Sequence, residues 1–196
     1  MRKVGLIFGS FNPIHNAHIG IGELAINSGL VNEVWFVIAK QNPFKDNYEV
    51  DFDDRERMIG IALMETHLRG YKMKCITIEK YSLDDRPKTY DILNAIKIEH
   101  SYEDIDYTII CGDDMYNQIP TWYNGQQLLN EYKFIVFGRD SNTPIDCDNV
   151  KYLNTYGLED ISSTKIREMI KNDDDNVLNY INKYVLKYIK EFNIYK

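Results

Sequence analysis

Cysteine is scarce in this sequence of 196 residues, and the few copies stand far apart. The chain has three cysteines, Cys75, Cys111 and Cys147, and no Cys-x-x-Cys pair. An odd number of distant cysteines argues against a disulfide framework and against a zinc site. We therefore expect a reducing compartment and a cytoplasmic protein.

Long apolar runs and an excess of basic residues are also missing. Only five apolar or small residues separate the basic pair at positions 2–3 from Gly9, which is too short for a secretion signal, and no run approaches a membrane span. The chain has 23 Lys and Arg against 30 Asp and Glu, a net charge of −7. Non-specific binding of nucleic acid needs clustered cations. We predict neither a membrane nor a nucleic-acid partner, and the sequence gives no oligomeric state.

The periodicity of the apolar residues predicts an α/β protein. An apolar content of 44% is typical of a globular chain, and the length fits a single domain over residues 1–196. Apolar runs rich in β-branched and aromatic residues predict six strands, at residues 4–8, 33–39, 74–80, 106–111, 133–137 and 150–153. Segments with helical spacing alternate with them. This alternation predicts a doubly wound, Rossmann-like parallel sheet with helices on both faces and a helical segment at the C-terminal end.

Polar residues mark where several helices should begin. Asp53 or Asp54 is expected to cap a helix that runs through Met58, and Thr89 to cap the next one. Residues 162–190 are predicted to form a helical segment with one apolar face, which includes Val177, Ile181, Tyr184, Val185, Tyr188 and Phe192. We expect this helix to serve packing.

The first chemical motif lies between residues 4 and 18. A buried strand ends at Gly9, a turn follows, and His15 and His18 come next with the i, i+3 spacing that places both on one face of a helix. Free backbone N–H groups at the start of such a helix, with two imidazoles beside them, predict a phosphate site. Two alternatives stay open: the histidines only cap or fill the turn, or they bind a metal. The metal is the weaker alternative, because two ligands do not complete a zinc shell.

The second motif is residues 161–167, with the sequence Ile-Ser-Ser-Thr-Lys-Ile-Arg. Hydroxyl side chains precede a helix, so its first N–H groups can meet an anion, and Arg167 one turn later suits phosphate bidentately. An ordinary helix cap with a surface arginine is the plainer interpretation of this motif alone.

Together the two motifs resemble those of the nucleotidyltransferases with a His-x-x-His motif. The first is Gly9-x-Phe11-x-Pro13-x-His15-x-x-His18, with Ala17 where that family usually has glycine. Shorter segments resemble the nicotinate-nucleotide adenylyltransferases within this superfamily. They are Asn42-Pro43-Phe44-Lys45, Asp54 with Arg57 and Met58, Thr89-Tyr90-Asp91-Ile92-Leu93, Gly112-Asp113-Asp114 and Pro120-Thr121-Trp122-Tyr123. Lys88 departs from the family, because an aromatic residue is common at this position.

The resemblance implies a role for each matched residue. His15, His18 and Arg167 would be catalytic and contact the triphosphate. The residues implied in ATP binding are Gly9, Ser10, Phe11, Asp114, Ser162, Ser163, Thr164 and Arg167. The residues implied in acceptor binding are Lys45, Thr89 and Trp122. Arg139 is added to them because it follows the fifth predicted strand.

The implied reaction moves AMP from ATP to nicotinate mononucleotide, with Mg²⁺ bound mainly through the ATP phosphates and no metal ligands from the protein. Two alternatives stay open. Another acceptor, such as nicotinamide mononucleotide or a different phosphate ester, or a cytidylyl donor would suit the same superfamily. A nucleotide-binding sensor without turnover is the alternative from another class.

Overall fold

A parallel sheet of six strands forms the centre of the molecule. The computed structural model describes residues 1–38, 50–77, 87–138, 148–155, 158 and 161–196. In chain order the strands are β1 Arg2–Gly9, β2 Glu33–Ile38, β3 Met73–Thr77, β4 Ile105–Gly112, β5 Lys133–Gly138 and β6 Val150–Asn154. Their order across the sheet is β3-β2-β1-β4-β5-β6, and each neighbouring pair is parallel. The predicted doubly wound sheet is confirmed.

Helices alternate with the strands along the chain. Within the described ranges they are α1 Asn16–Asn27, α2 Phe52–Leu68, α3 Thr89–Glu99, α4 Asp113–Gln118, α5 Gly125–Glu131, α6 Ser163–Lys171 and α7 Lys183–Glu191. In the same described ranges, the 3-10 turns Ile119–Thr121 and Asp175–Asn179 precede α5 and α7. Among the described residues, no helix is both long enough and apolar enough to cross a membrane.

The sheet separates two apolar cores. Successive side chains of a strand point to opposite faces, so Val34, Phe36 and Ile38 of β2 join one core while Trp35 and Val37 join the other. The first core is completed by α1, α2, α6 and α7, and the second by α3 and α5. Helices therefore cover both faces, as the alternation of strands and helices predicts.

The C-terminal segment differs from its prediction. The spacing predicts a helical segment over residues 162–190, and the structure divides it: α6 ends before Asp173, whose φ of 49° is left-handed. Asp174 then accepts a hydrogen bond from the N–H of Asn176, and Asn182 caps α7 by accepting from Tyr184 at 2.8 Å. Short polar side chains that bond the nearby backbone compete with a helix. Tyr184 and Phe192, both predicted on the apolar face, are 57% and 56% exposed.

Two predicted helix caps are also displaced. Asp51 occupies the cap position of α2, so Asp53 and Asp54 lie within its first turn. Lys88 occupies the cap position of α3, and Thr89 is the first helical residue. Acidic residues anywhere in the first turn interact favourably with the helix dipole. Asp53 and Asp54 therefore indicate that a helix begins nearby, but they do not identify its cap residue.

Candidate active site

The candidate site lies where the strand order of the sheet reverses. Connections from β1 lead outward through β2 to β3, whereas β4, on the other side of β1, leads on to β5 and β6. Ligands of such sheets bind in the crevice beyond the carboxyl ends of the strands at this point. Gly9 ends β1, Gly112 ends the adjacent β4 and Gly138 ends β5, so the three glycines lie at this edge of the sheet. Lys40, which follows the strand predicted at residues 33–39, lies outside the described residues.

The turn after β1 is built around the ring of Phe11. This residue has a φ of 45° and is 2% exposed, and its ring packs edge-on against His18 and Phe36. A Cβ at Gly9 would lie 2.9 Å from the Phe11 ring, closer than real Cβ contacts. Glycine is thus required here by the packing of Phe11. The buried ring supports His18 and leaves only the backbone of Phe11 for a ligand.

The two histidines stack at the start of α1. His15 is the cap residue of this helix and His18 stands three positions later. Their ring centroids are 3.7 Å apart, with 29° between the planes. The backbone N–H of His15 donates to Nδ1 of His18 over 3.3 Å. Because Nδ1 accepts, a neutral His18 carries its ring proton on Nε2, where it can donate outward.

Burial keeps both imidazoles neutral. It lowers the pKa of His15 to about 4. Burial also lowers the pKa of His18 well below its usual value, and the neighbouring His15 lowers it further. At neutral pH the pair therefore offers hydrogen-bond donors to an anion and contributes no positive charge.

The backbone at the start of α1 is less open than the sequence predicts. The N–H of Asn16 donates to the carbonyl oxygen of Tyr180 over 2.8 Å, and the N–H of His18 donates to that of His15 over 3.0 Å. These two groups are occupied, so the prediction of a helix start with free N–H groups is wrong for them. The histidine rings become the more important donors.

Helix α6 brings the second motif onto the first. Ser163 Oγ donates to the carbonyl oxygen of Pro13 over 2.9 Å, and Arg167 Nη1 donates to that of Asn12 over 2.7 Å. Arg167 Nη2 also lies 3.3 Å from Oγ1 of Thr164. Ser162 caps the helix, accepting from the N–H of Lys165 at 3.2 Å. The two motifs form one cluster at the turn after β1.

Arg55 is a site residue that the sequence interpretation missed. It is 1% exposed, and its Nη1 donates to the carbonyl oxygen of Ser10 over 2.9 Å. The family resemblance indicated Arg57 instead, and Arg57 is exposed in α2. Helical spacing carried the signal, because Arg55 precedes the buried Met58 and Ile59 by three and four positions.

Two of the predicted acceptor residues, Thr89 and Trp122, lie in segments that cover the second core. Asp114, predicted to bind ATP, is exposed in the first turn of α4, and its N–H donates to Oδ1 of Asp113 over 2.8 Å. Trp122 is half-buried, and it packs against the second core. Thr89 is half-buried at the start of α3. Lys45 and Arg139 lie outside the described residues.

Comparisons with known proteins show the family to which this chain belongs. Residues 6–169 match the model of the family described as cytidylyltransferase-like. A probable nicotinate-nucleotide adenylyltransferase of Endomicrobium trichonymphae is 32% identical, with all of both chains covered. One from Cytophaga hutchinsonii is 35% identical over 87% of each chain. The chain belongs to the nicotinate-nucleotide adenylyltransferase family.

A solved structure extends the similarity to three dimensions. The nicotinic acid mononucleotide adenylyltransferase of Plasmodium falciparum, complexed with NaAD, is 25% identical to this chain. The two superpose with a TM-score of 0.82, covering 100% of this chain and 98% of the other. The Rossmann-like fold predicted from the alternating pattern is therefore confirmed by an independent structure.

Proposed function

We propose that this protein transfers AMP from ATP to nicotinate mononucleotide, forming deamido-NAD and pyrophosphate for NAD biosynthesis. The observation that carries the proposal is the stacked, neutral pair His15 and His18 at the sheet's reversal point, joined to α6 through the turn at residues 10–14. Relatives over the whole chain bear the name of this activity, and the P. falciparum enzyme was solved with NaAD.

In this mechanism the acceptor phosphate attacks the α-phosphorus of ATP in line. A P–O bond forms to the acceptor, the bond between the α-phosphorus and the bridging oxygen breaks, and pyrophosphate leaves. The attacking phosphate is already ionised, so the protein needs no general base. Its task is to position two anions and stabilise the developing charge.

His18 is the residue we assign to the transition state. Its Nε2 proton follows from the hydrogen bond that occupies Nδ1, and a fixed donor aimed at developing charge is the most effective electrostatic device in such a site. His15 and Arg167 complete the triphosphate contacts in the proposal. Nη1 of Arg167 donates a hydrogen bond to the carbonyl oxygen of Asn12. In the proposal, Arg167 therefore stabilises the turn and also binds the nucleotide.

The remaining ATP contacts are assigned to the same turn and to α6. We place Gly9, Ser10 and the backbone of Phe11 against the phosphates, with Ser162, Ser163 and Thr164 on the other side. Asp114, at the end of the adjacent strand, would contact the nucleoside.

We assign the acceptor to the second face, with Trp122 stacked on the pyridine ring and Thr89 near its carboxylate. Lys45 remains an acceptor contact by resemblance alone, and Arg139 by its place after the fifth strand. Thr89 begins α3, whose dipole favours an anion at its start. A carboxylate accepts from such donors, whereas a carboxamide also needs an acceptor for its NH₂ group.

Magnesium enters the proposal as part of the MgATP substrate. Within the described ranges, no three His, Cys, Asp or Glu side chains gather around a possible metal position. Mg²⁺ retains several waters and binds through substrate phosphates in many phosphoryl-transfer sites. The ion would neutralise charge on the pyrophosphate leaving group while the histidines act at the α-phosphate.

The decisive experiment measures pyrophosphate release and identifies the dinucleotide product by mass. ATP and CTP are compared as donors, and nicotinate mononucleotide, nicotinamide mononucleotide, pantetheine phosphate and riboflavin phosphate as acceptors. We expect the highest kcat/KM for ATP with nicotinate mononucleotide. Binding of ATP without pyrophosphate release from any pair would support the sensor alternative, and a faster CTP reaction would assign a cytidylyl donor.

The proposed partners are these small molecules only, in the cytoplasm. The support is the composition of the chain: its net charge of −7 disfavours non-specific binding of nucleic acid. Its scattered cysteines suit a reducing compartment. Retention of activity in the soluble fraction of its own cells would test the location.

A further inference from the structure

The last residues of the chain fold back onto the protein in an unusual backbone conformation. Asn193 has a φ of 53° and Tyr195 a φ of 67°. A bulky residue rarely adopts the left-handed region, and it stays there only when its surroundings hold it. Ile194 and Tyr195 are 7% and 4% exposed, and the N–H of Ile194 donates to the carbonyl oxygen of Ile189 over 2.9 Å. The segment is therefore fixed in place.

The reversal brings the Tyr195 hydroxyl to the turn after β1. This hydroxyl donates to Oδ1 of Asn12, across 183 positions of sequence. Asn12 is 5% exposed. Its side chain receives Tyr195 while its carbonyl oxygen receives Arg167. One residue of the turn is thus held from two separate elements of the C-terminal region.

Asn12 lies between the parts of the candidate site that must be held in register. Phe11, which supports His18, precedes it, and Pro13, whose carbonyl oxygen accepts from Ser163, follows it. A displacement of the Asn12 side chain would move the backbone on both sides. It would shift the nucleotide contacts without unfolding the sheet.

We propose that Tyr195 is a positioning residue for the nucleotide turn, and that it acts through the hydrogen bond to Asn12. The inference rests on the proposed adenylyl transfer, because the turn holds ATP in that reaction. Tyr195 itself touches no reacting atom. Its hydroxyl fixes the side chain of Asn12, so its loss affects the use of ATP more than the use of the acceptor.

The test begins with Tyr195→Phe, which keeps the buried ring and removes only the hydroxyl. A buried amide oxygen that loses its donor is left unsatisfied. We expect kcat/KM for ATP to fall roughly fivefold to tenfold, which corresponds to one such hydrogen bond. KM for nicotinate mononucleotide should stay within about twofold of wild type, and binding of ATP alone, measured by calorimetry, should weaken in parallel.

Tyr188→Phe provides a matched control. It removes a hydroxyl from the same C-terminal segment, where Tyr188 donates to Oδ1 of Asp54 over 2.6 Å. Asp54 lies in the first turn of α2, so the hydroxyl removed in this variant bonds Asp54 and not Asn12. This variant should keep the wild-type kcat/KM for ATP, while its melting temperature falls by about the same amount as that of Tyr195→Phe.

A double-mutant cycle with Asn12→Ala identifies the route. In the Asn12→Ala background, Tyr195→Phe should change kcat/KM for ATP by less than about twofold, because the acceptor of its hydrogen bond is gone. An equal loss in both backgrounds, or an unchanged kcat/KM in Tyr195→Phe, would overturn the inference. Turnover by the wild type tests the proposed function separately, so failure of one is distinct from failure of the other.

Discussion

The two sides of the candidate site are held in different ways. The nucleotide side is fixed by residues remote in sequence: Arg55, Ser163, Arg167 and Tyr195 all donate to the turn at residues 10–14. On the acceptor side, the hydrogen bond described for Trp122 is local, because its N–H donates to the carbonyl oxygen of Ile119, three positions earlier.

This difference indicates that the nucleotide side is preorganised, whereas the acceptor side adapts to the bound acceptor. Groups that stabilise a transition state are most effective when they are already fixed, because no reorganisation is then required during the reaction. A site that recognises one acceptor can be completed by that acceptor. We therefore expect substitutions on the nucleotide side to reduce rate or stability, and those on the acceptor side to change the choice of substrate.

The largest effect is expected at His18 on the nucleotide side. In His18→Ala, the donor assigned to the transition state is lost, at a typical cost of about 2.7–4 kcal/mol, or roughly 100- to 1000-fold in kcat. Steady-state pyrophosphate release measures this loss, and circular dichroism checks that the fold is retained. His67→Ala is the control, since His67 is exposed near the end of α2. A kcat within a fewfold of wild type would remove His18 from the mechanism.

Acid should destabilise the nucleotide side through His15. Its pKa in the folded protein is about 4, whereas an unfolded chain has a value near 6.5. Between these values the unfolded state holds a proton that the folded state does not, so the free energy of unfolding falls as the pH falls. Through His15 alone, the free energy of unfolding at pH 5 should be roughly 2 kcal/mol lower than it is well above pH 6.5.

Urea unfolding at pH 8, 7, 6 and 5 measures this dependence in wild type and in His15→Gln. The variant should lose less stability below pH 6.5, and the two slopes should converge as the pH rises to 8, where the unfolded chain has released nearly all of the His15 proton. Identical slopes at acid pH would show that burial of His15 does not carry the effect.

Arg55 and Arg57 provide a paired comparison two residues apart in α2. Arg55→Ala removes a buried donor from the carbonyl of Ser10, and a hydrogen bond from a charged group contributes about 1.5–3 kcal/mol. We expect the melting temperature to fall by roughly 4–10 °C. Arg57→Ala removes a hydrogen bond to the Tyr188 hydroxyl from an exposed side chain, and it should lower the melting temperature by clearly less. Equal losses in the two variants would contradict the assignment of Arg55 to the turn.

Most of the fold was predictable because the sheet is wholly parallel. Buried parallel strands appear as continuous apolar runs, and each of the six predicted runs overlaps a strand. Helices α4 and α5 were not predicted, since six and seven residues are too few to display a helical period. The break within residues 162–190 depends on Asp173, Asp174 and Asn182, whose local hydrogen bonds override the apolar spacing.

The site was predictable where contacts are local and obscure where they cross the chain. His15 and His18 stand three positions apart, so their proximity follows from helix geometry. The bonds from Arg167 to Asn12 and from Tyr195 to Asn12 span 155 and 183 positions, and no periodicity indicates them. Phe11 is a further example. The motif predicts that this residue belongs to the site, but only the structure shows its ring packed against His18.

The acceptor side is expected to show the smallest effect on rate and the clearest effect on substrate choice. A buried carboxamide whose NH₂ finds no acceptor costs about 1–3 kcal/mol, so the carboxylate of nicotinate mononucleotide should be preferred by tenfold to a hundredfold in kcat/KM. Thr89→Val and Trp122→Ala should each reduce this preference while kcat/KM for ATP changes little. Ser101→Val is a suitable control, because Ser101 follows α3 at the opposite end from Thr89.

An equal or reversed preference in wild type would contradict the acceptor assignment and leave adenylyl transfer intact, because the nucleotide side would still act on the α-phosphate. A preference that survives both substitutions would move the pyridine ring away from α3 and Trp122, and the division between a fixed nucleotide side and an adaptable acceptor side would then have to be drawn elsewhere.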